Sequence, residues 1–183
     1  MKVTLLKKKE EQWQVIINSH NEIKEKLSDK NILPISIVVT EKTASCDSLA
    51  KRFKAYLKSN YSLTDEEINE KVLVVHSKPN VAADRARLKD VDSVNSKVEW
   101  IFSVSMLTEG WDVKRVFQII PDEERAFNSK LLIAQVLGRG LRVPTDWNFA
   151  FGKPEVIVFN HEKWAFAVKK LVDEILEIER RIS

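Results

Sequence analysis

Five short apolar runs recur along this chain, at residues 35–39, 72–75, 98–104, 116–120 and 156–159. Runs such as Ile35-Ser36-Ile37-Val38-Val39 and Val72-Leu73-Val74-Val75 do not alternate apolar with polar. Near-continuous apolarity over so short a stretch is how a strand reads when both its faces are buried, as in a parallel sheet. Helical patterns separate the runs. Trp13, Ile16, Ile17, His20, Ile23 and Leu27 recur at helical spacing within 10–30. Residues 31–34 break that pattern. A second helix is expected at 43–58, its apolar contacts supplied by Leu49, Phe53, Ala55 and Leu57. Thr64-Asp65-Glu66-Glu67, in a polar insert, has the acids of a helix first turn. Further helices are expected at 80–90, 127–141 and 163–182. Strands alternating with helices predict an α/β three-layer sandwich, a mostly parallel sheet with helices on both faces. There is no internal repeat, and we read 1–183 as one domain: a leading helix within 1–30, a core over 31–160 and a terminal helix over 161–183.

The 183 residues are 44% hydrophobic and 31% charged, ordinary for a globular protein with a real core. A net charge of +3 is compatible with a nucleic-acid partner without requiring one. Lys7, Lys8 and Lys9 run straight into Glu10 and Glu11, which reads as a solvated helix start. The single cysteine, Cys46, permits no intrachain disulfide and fits a reducing compartment. No apolar run is long enough for a bilayer, and the first residues lack a signal-peptide core. The expected location is the cytoplasm, with no membrane partner. His20, His76 and His161 lie far apart and are expected to be structural or surface residues, with no metal site.

Glycine is scarce, only 4 in the chain, so its positions are informative. Gly138 and Gly140 fall inside the 127–141 helical pattern, where each costs about 1 kcal/mol relative to alanine. Either the helix ends there or something packs too closely for a Cβ. In Gln135-Val136-Leu137-Gly138-Arg139-Gly140-Leu141-Arg142, helical spacing puts Gln135, Arg139 and Arg142 on one face. Two guanidiniums side by side repel unless an anion lies between them, and guanidinium suits bidentate phosphate contact. Two surface arginines at a helix end would read the same way. Gly110 belongs to Ser105-Met106-Leu107-Thr108-Glu109-Gly110-Trp111-Asp112, directly after the 98–104 strand. The carboxyl end of a parallel strand is where α/β sheets place ligands. Hydroxyls there can donate to phosphates and Asp112 can accept from a ribose hydroxyl, although a turn glycine with a capping aspartate is the plainer reading.

The 135–142 block resembles motif VI of superfamily 2 helicases, Q-x-x-G-R-x-x-R, at every fixed position. The 105–112 block is similar to motif V, whose core is G-x-D after a strand. Residues 37–57, including Thr40, resemble the unit around motif IV, and His76 followed by Asp84-Arg85 resembles the histidine-ended strand and arginine-bearing helix that precede motif V. The four segments come in the family's order over roughly 35–159. The resemblance implies a RecA-like second motor domain of an ATP-dependent DNA helicase or translocase. It implies that Arg142 is the principal arginine finger and Arg139 its partner, that Gln135 is an accessory polar contact, and that Gly110 and Asp112 belong to the nucleotide side. For Thr40, Ser105 and Thr108 it implies nucleic-acid backbone contacts. Val104 stands where many members have threonine, which weakens the nucleic-acid contact there.

Glu109-Gly110-Trp111-Asp112 and Gly138-Arg139-Gly140-Leu141-Arg142 look like the Res subunit of type III restriction enzymes. Gly140-Leu141 departs from the G-R-x-G-R of DEAD-box proteins. DNA is therefore expected over RNA, with a methyltransferase or specificity subunit as a further partner. The sequence contains no P-loop, G-x-x-x-x-G-K-[ST], and no acidic D-E-x-H-type motif. ATP with Mg²⁺ would be bound jointly with an upstream P-loop RecA-like domain, and the chain alone is expected to be inactive as an ATPase. No nuclease signature is present. Two other readings stay open: an orphan module binding nucleic acid or a partner protein without ATPase activity, and an unrelated α/β domain binding a small phosphorylated ligand.

Overall fold

The computed structural model describes residues 2–5, 9–104, 113–122, 147–148 and 155–160. The helices expected at 127–141 and 163–182 lie outside these residues. Each of the five apolar runs coincides, to within two residues at either end, with a strand: β2 (Ile35–Thr40), β3 (Val72–Val75), β4 (Trp100–Val104), β5 (Val116–Pro121) and β6 (Ile157–Asn160). A further strand, β1 (Lys2–Leu5), precedes the first helix. The leading segment is therefore a strand followed by a helix, not a helix alone.

The sheet runs β1-β6-β5-β2-β4-β3 and every neighbouring pair is parallel. β2 is central, with Val38 opposite Phe102 of β4 on one side and Ile120 of β5 on the other. All of its residues are buried, which is why the run shows no alternation.

Alternate residues of β2 serve two cores. Ile35, Ile37 and Val39 face one, with Leu73, Val75, Ile101 and Ile119 of the neighbouring strands and Leu88 from α4 (Ala82–Leu88). Val38 faces the other, covered by α1 (Lys9–Leu27) and α2 (Thr43–Tyr61). Helices thus lie on both faces of a parallel sheet, an α/β RecA-like architecture. From α1, Ile16, Ile17, His20, Ile23 and Leu27 are buried. The leading helix is integral to the core.

From α2 the buried residues are Cys46, Leu49, Ala50, Phe53 and Leu57. Ala55 is exposed, contrary to expectation. Cys46 and Ala50 share the face of Phe53 and Leu57, whereas Ala55, two residues from either, points away. Phe53 is the hub of an aromatic cluster, its ring centroid 4.8 Å from Trp13, 4.8 Å from Trp100 and 5.2 Å from Phe102.

Helix ends follow local chemistry. Thr64 caps α3 (Asp65–Lys71) with a reciprocal capping box, its hydroxyl accepting from the Glu67 N–H while the Glu67 carboxylate accepts from the Thr64 N–H. Asn31 (φ 54°) ends the 3-10 turn Ser28–Lys30 and Ser62 (φ 53°) ends α2, both left-handed where glycine is the usual choice. Among the described residues no helix is long and apolar enough to cross a membrane.

Candidate nucleotide and nucleic-acid site

The strand order makes a switch point at the centre of the sheet. From β2 the chain leaves toward β3 on one flank, and from β5 it continues toward β6 on the other. Between them, the connection from β4 to β5 crosses over β2. In open α/β sheets ligands bind outside the carboxyl ends of strands at such a point. Those ends here are Thr40 of β2, Val104 of β4 and Pro121 of β5. The 105–112 block begins where β4 ends. The segment carrying Gln135, Arg139 and Arg142 follows β5 and Asp122, whose N–H donates to the Val39 carbonyl at 3.0 Å. Ser105, Thr108, Gly110, Asp112, Gln135, Arg139 and Arg142 themselves lie outside the described residues.

Thr40 is fully buried. Its hydroxyl donates, at 3.4 Å each, toward the carbonyls of Lys42 and Ser103. The side chain therefore ties the turn after β2 to the end of β4. The exposed group of that turn is Lys42, which is also the N-cap of α2. The first turn of α2 has no acidic residue, and the N-cap residue Lys42 makes no side-chain hydrogen bond to it. Cys46, one turn in, is buried, and burial pushes its thiol up to about 11. It is a packing group and not a nucleophile.

At the end of β3, His76 is buried, with Nε2 2.8 Å from Asp47 Oδ1 on α2. Its Nδ1 accepts from the Lys78 N–H at 3.3 Å, so Nε2 bears the proton and donates to Asp47. Arg85 donates to the His76 carbonyl at 2.8 Å. Every polar group of His76 named here fastens the loop after β3, which presents Ser77 and Lys78 to solvent. Two exposed lysines, Lys42 and Lys78, thus stand at the carboxyl ends of β2 and β3.

A second polar cluster lies at the opposite edge of the sheet and was not legible as a site in the sequence. His20 of α1 is buried against the Trp100 ring, centroids 4.5 Å apart. Its Nδ1 is 2.7 Å from Ser36 Oγ and its Nε2 3.0 Å from Glu99 Oε2. Ser36 Oγ is 2.5 Å from Gln118 Oε1, and Gln118 Nε2 donates to the Ile16 carbonyl at 3.1 Å. Lys24 donates to Glu99 Oε2 at 3.0 Å and Lys71 to Oε1. Burial alone would raise the Glu99 pKa, but hydrogen bonds from His20, Lys71 and Lys24 hold it well below the ordinary carboxylate range. Burial lowers the His20 pKa, against the raising effect of Glu99. His20, Ser36, Glu99 and Gln118 are all buried, and the cluster meets the surface only through the side chains of Lys24 and Lys71.

Two solved structures share the fold. Domain 2 of the DEAD-box helicase Mss116p, solved bound to an RNA duplex, superimposes with a TM-score of 0.55 at 12% identity, covering 94% of this chain and 59% of that one. Cas3 of T. fusca matches with a TM-score of 0.50 at 12% identity, over 88% of this chain and 18% of that one. The chain thus spans only part of either protein. At this identity the likeness is one of fold: the α/β, RecA-like architecture of a helicase second domain. No protein-family model matches the sequence, and no curated protein does.

Proposed function

We propose that this chain is the second motor domain of an ATP-dependent DNA helicase or translocase of the type III restriction Res kind. The strand order carries the reading: both motif-bearing segments leave the sheet from the carboxyl ends of strands that flank β2, at its switch point. In this reading Arg142 reaches the γ-phosphate of ATP held chiefly by a P-loop domain, and Arg139 assists. Gln135, Gly110 and Asp112 complete the nucleotide side. ATP, with its Mg²⁺, supplies the phosphoryl chemistry; this chain adds charge at the transferring phosphate.

The nucleic-acid backbone runs across the other half of the same edge. Ser105 and Thr108 contribute from the segment that follows β4. Thr40 acts from within, by fixing the turn that carries Lys42 and the α2 N-terminus. Lys78 extends the row beyond β4. Phosphates favour such N–H groups and lysines without any demand on sequence. A methyltransferase or specificity subunit would supply target choice.

The deciding experiment is Arg142→Ala in the intact protein that contains the P-loop domain. The expected result is a loss of ATP turnover on the order of 10³-fold with DNA binding retained. Unchanged turnover removes the finger assignment. DNA binding that is indifferent to ATP in the intact protein would instead favour a binding module without motor activity.

A further inference from the structure

The His20 cluster contains a proton count that its geometry does not leave free. Gln118 Nε2 donates to the Ile16 carbonyl, so Oε1 is the atom facing Ser36, and an amide oxygen only accepts. The Ser36 hydroxyl proton must therefore lie on the 2.5 Å contact to Gln118. Ser36 has no second proton, so at its 2.7 Å contact it accepts from a protonated His20 Nδ1. On the far side of the ring, Nε2 meets the Glu99 carboxylate at 3.0 Å, which also needs a proton on nitrogen. The arrangement as it stands belongs to an imidazolium.

A neutral imidazole has one N–H, and the chain must then run the other way. The proton stays on Nε2, facing Glu99. Nδ1 accepts from the Ser36 hydroxyl. The Gln118 amide turns over and donates to Ser36 Oγ, which sets its oxygen against the Ile16 carbonyl and cancels that tie.

We propose that His20, Ser36 and Gln118 form a proton-coupled relay in which one proton on His20 reverses the direction of the hydrogen bonds. The relay makes or breaks the Gln118 bond between β5 and α1. The charged ring carries one proton more than the neutral one, on Nδ1, and every other change is a rotation of a hydroxyl or an amide. The groups that face the imidazole are Lys24 of α1, Ser36 of β2, Lys71 at the end of α3, Glu99 and the ring of Trp100 at the start of β4, and Gln118 of β5. Glu99 favours the charged form. Lys24, Lys71 and burial favour the neutral one, and burial is the largest effect, so acidification populates the charged arm.

The test is a pH titration of the ¹⁵N-labelled full chain, reading the imidazole nitrogens of His20 and the side-chain amide of Gln118, with His20→Gln to assign the ring. Above the midpoint the neutral ring is expected as the Nε2–H tautomer. Below it both nitrogens carry protons, and the Gln118 amide resonances move with the same midpoint. In Gln118→Leu, Ser36 is free to donate to Nδ1 at any pH, and the midpoint falls by roughly half to one pH unit. A neutral Nδ1–H tautomer, or Gln118 resonances indifferent to the His20 midpoint, overturns the relay. So does an unmoved midpoint in Gln118→Leu.

Discussion

Phe53 of α2 and Trp100 of β4 meet with ring centroids 4.8 Å apart and planes tilted by 55°. Trp13 of α1 also lies with its ring centroid 4.8 Å from that of Phe53, so one side chain joins two helices to the sheet. Phe53→Ala is expected to cost about 3–5 kcal/mol, since a cavity is left among rings that cannot collapse into it. Chemical denaturation of the variant measures this directly. A loss below about 1 kcal/mol would show that the cluster is not central to the core.

Acid should weaken the fold in two stages. His20 has a folded-state pKa below its ordinary 6.5, so the unfolded chain binds the proton more readily and stability falls as pH drops through that region. Glu99 has a folded-state pKa depressed below 4.5, so its contribution is full above 4.5 and is lost as pH falls further. The expected profile declines below about 6.5 and more steeply below about 4.5. Thermal unfolding from pH 8 to 3 tests it, and His20→Gln should remove the upper stage alone. Stability that rises on acidification through 6.5 would contradict the assigned direction.

Ser62 ends α2 at φ 53° and ψ 29°, a left-handed conformation that an L-residue other than glycine enters at a cost of roughly 1 kcal/mol. Ser62→Gly relieves it while loosening the unfolded chain, and a net gain of about 0.5 kcal/mol is expected. A raised midpoint in urea is the readout. A destabilised variant would mean that the serine side chain is needed at this helix end.

Lys42 and Lys78 are expected to act on nucleic acid as single charges. In the intact protein, Lys42→Glu and Lys78→Glu should each weaken DNA binding for all sequences alike. Each should also reduce the slope of log affinity against log salt by roughly 1. Binding titrations at several salt concentrations decide this. A slope that stays fixed in both variants places the nucleic acid elsewhere.

The strands buried on both faces were legible because burial itself writes the pattern: β2 and β3 need no polar side. β1 was not. Lys2-Val3-Thr4-Leu5 is half polar, as suits an edge strand, and it looks like an ordinary lead-in to the helix. Ala55 misled because apolar character alone does not place a residue on a helix face; its spacing from Phe53 does. The His20 cluster is built from residues 16, 79 and 82 positions apart, beyond any local pattern. Its signal was nonetheless present. Ser36, Glu99 and Gln118 are polar interruptions of apolar runs, and His20 sits on the apolar stripe of α1. A polar residue in a strand with two buried faces must find a partner inside. For the candidate site, motif spacing named the residues, and the sheet order gives the reason two distant segments start from one edge.

Lys2 pairs with Ile157 and Leu5 with Asn160, so nearly the first residues of the chain find their partners among nearly the last described ones. During synthesis β1 is made before every other described strand and must wait, without its neighbour β6, until the last of them follows. Closing so large a loop is slow, although each doubling of its length adds only about 0.6 kcal/mol. The central strands can therefore assemble early, while this outer edge is sealed late, by the four-residue strand β1.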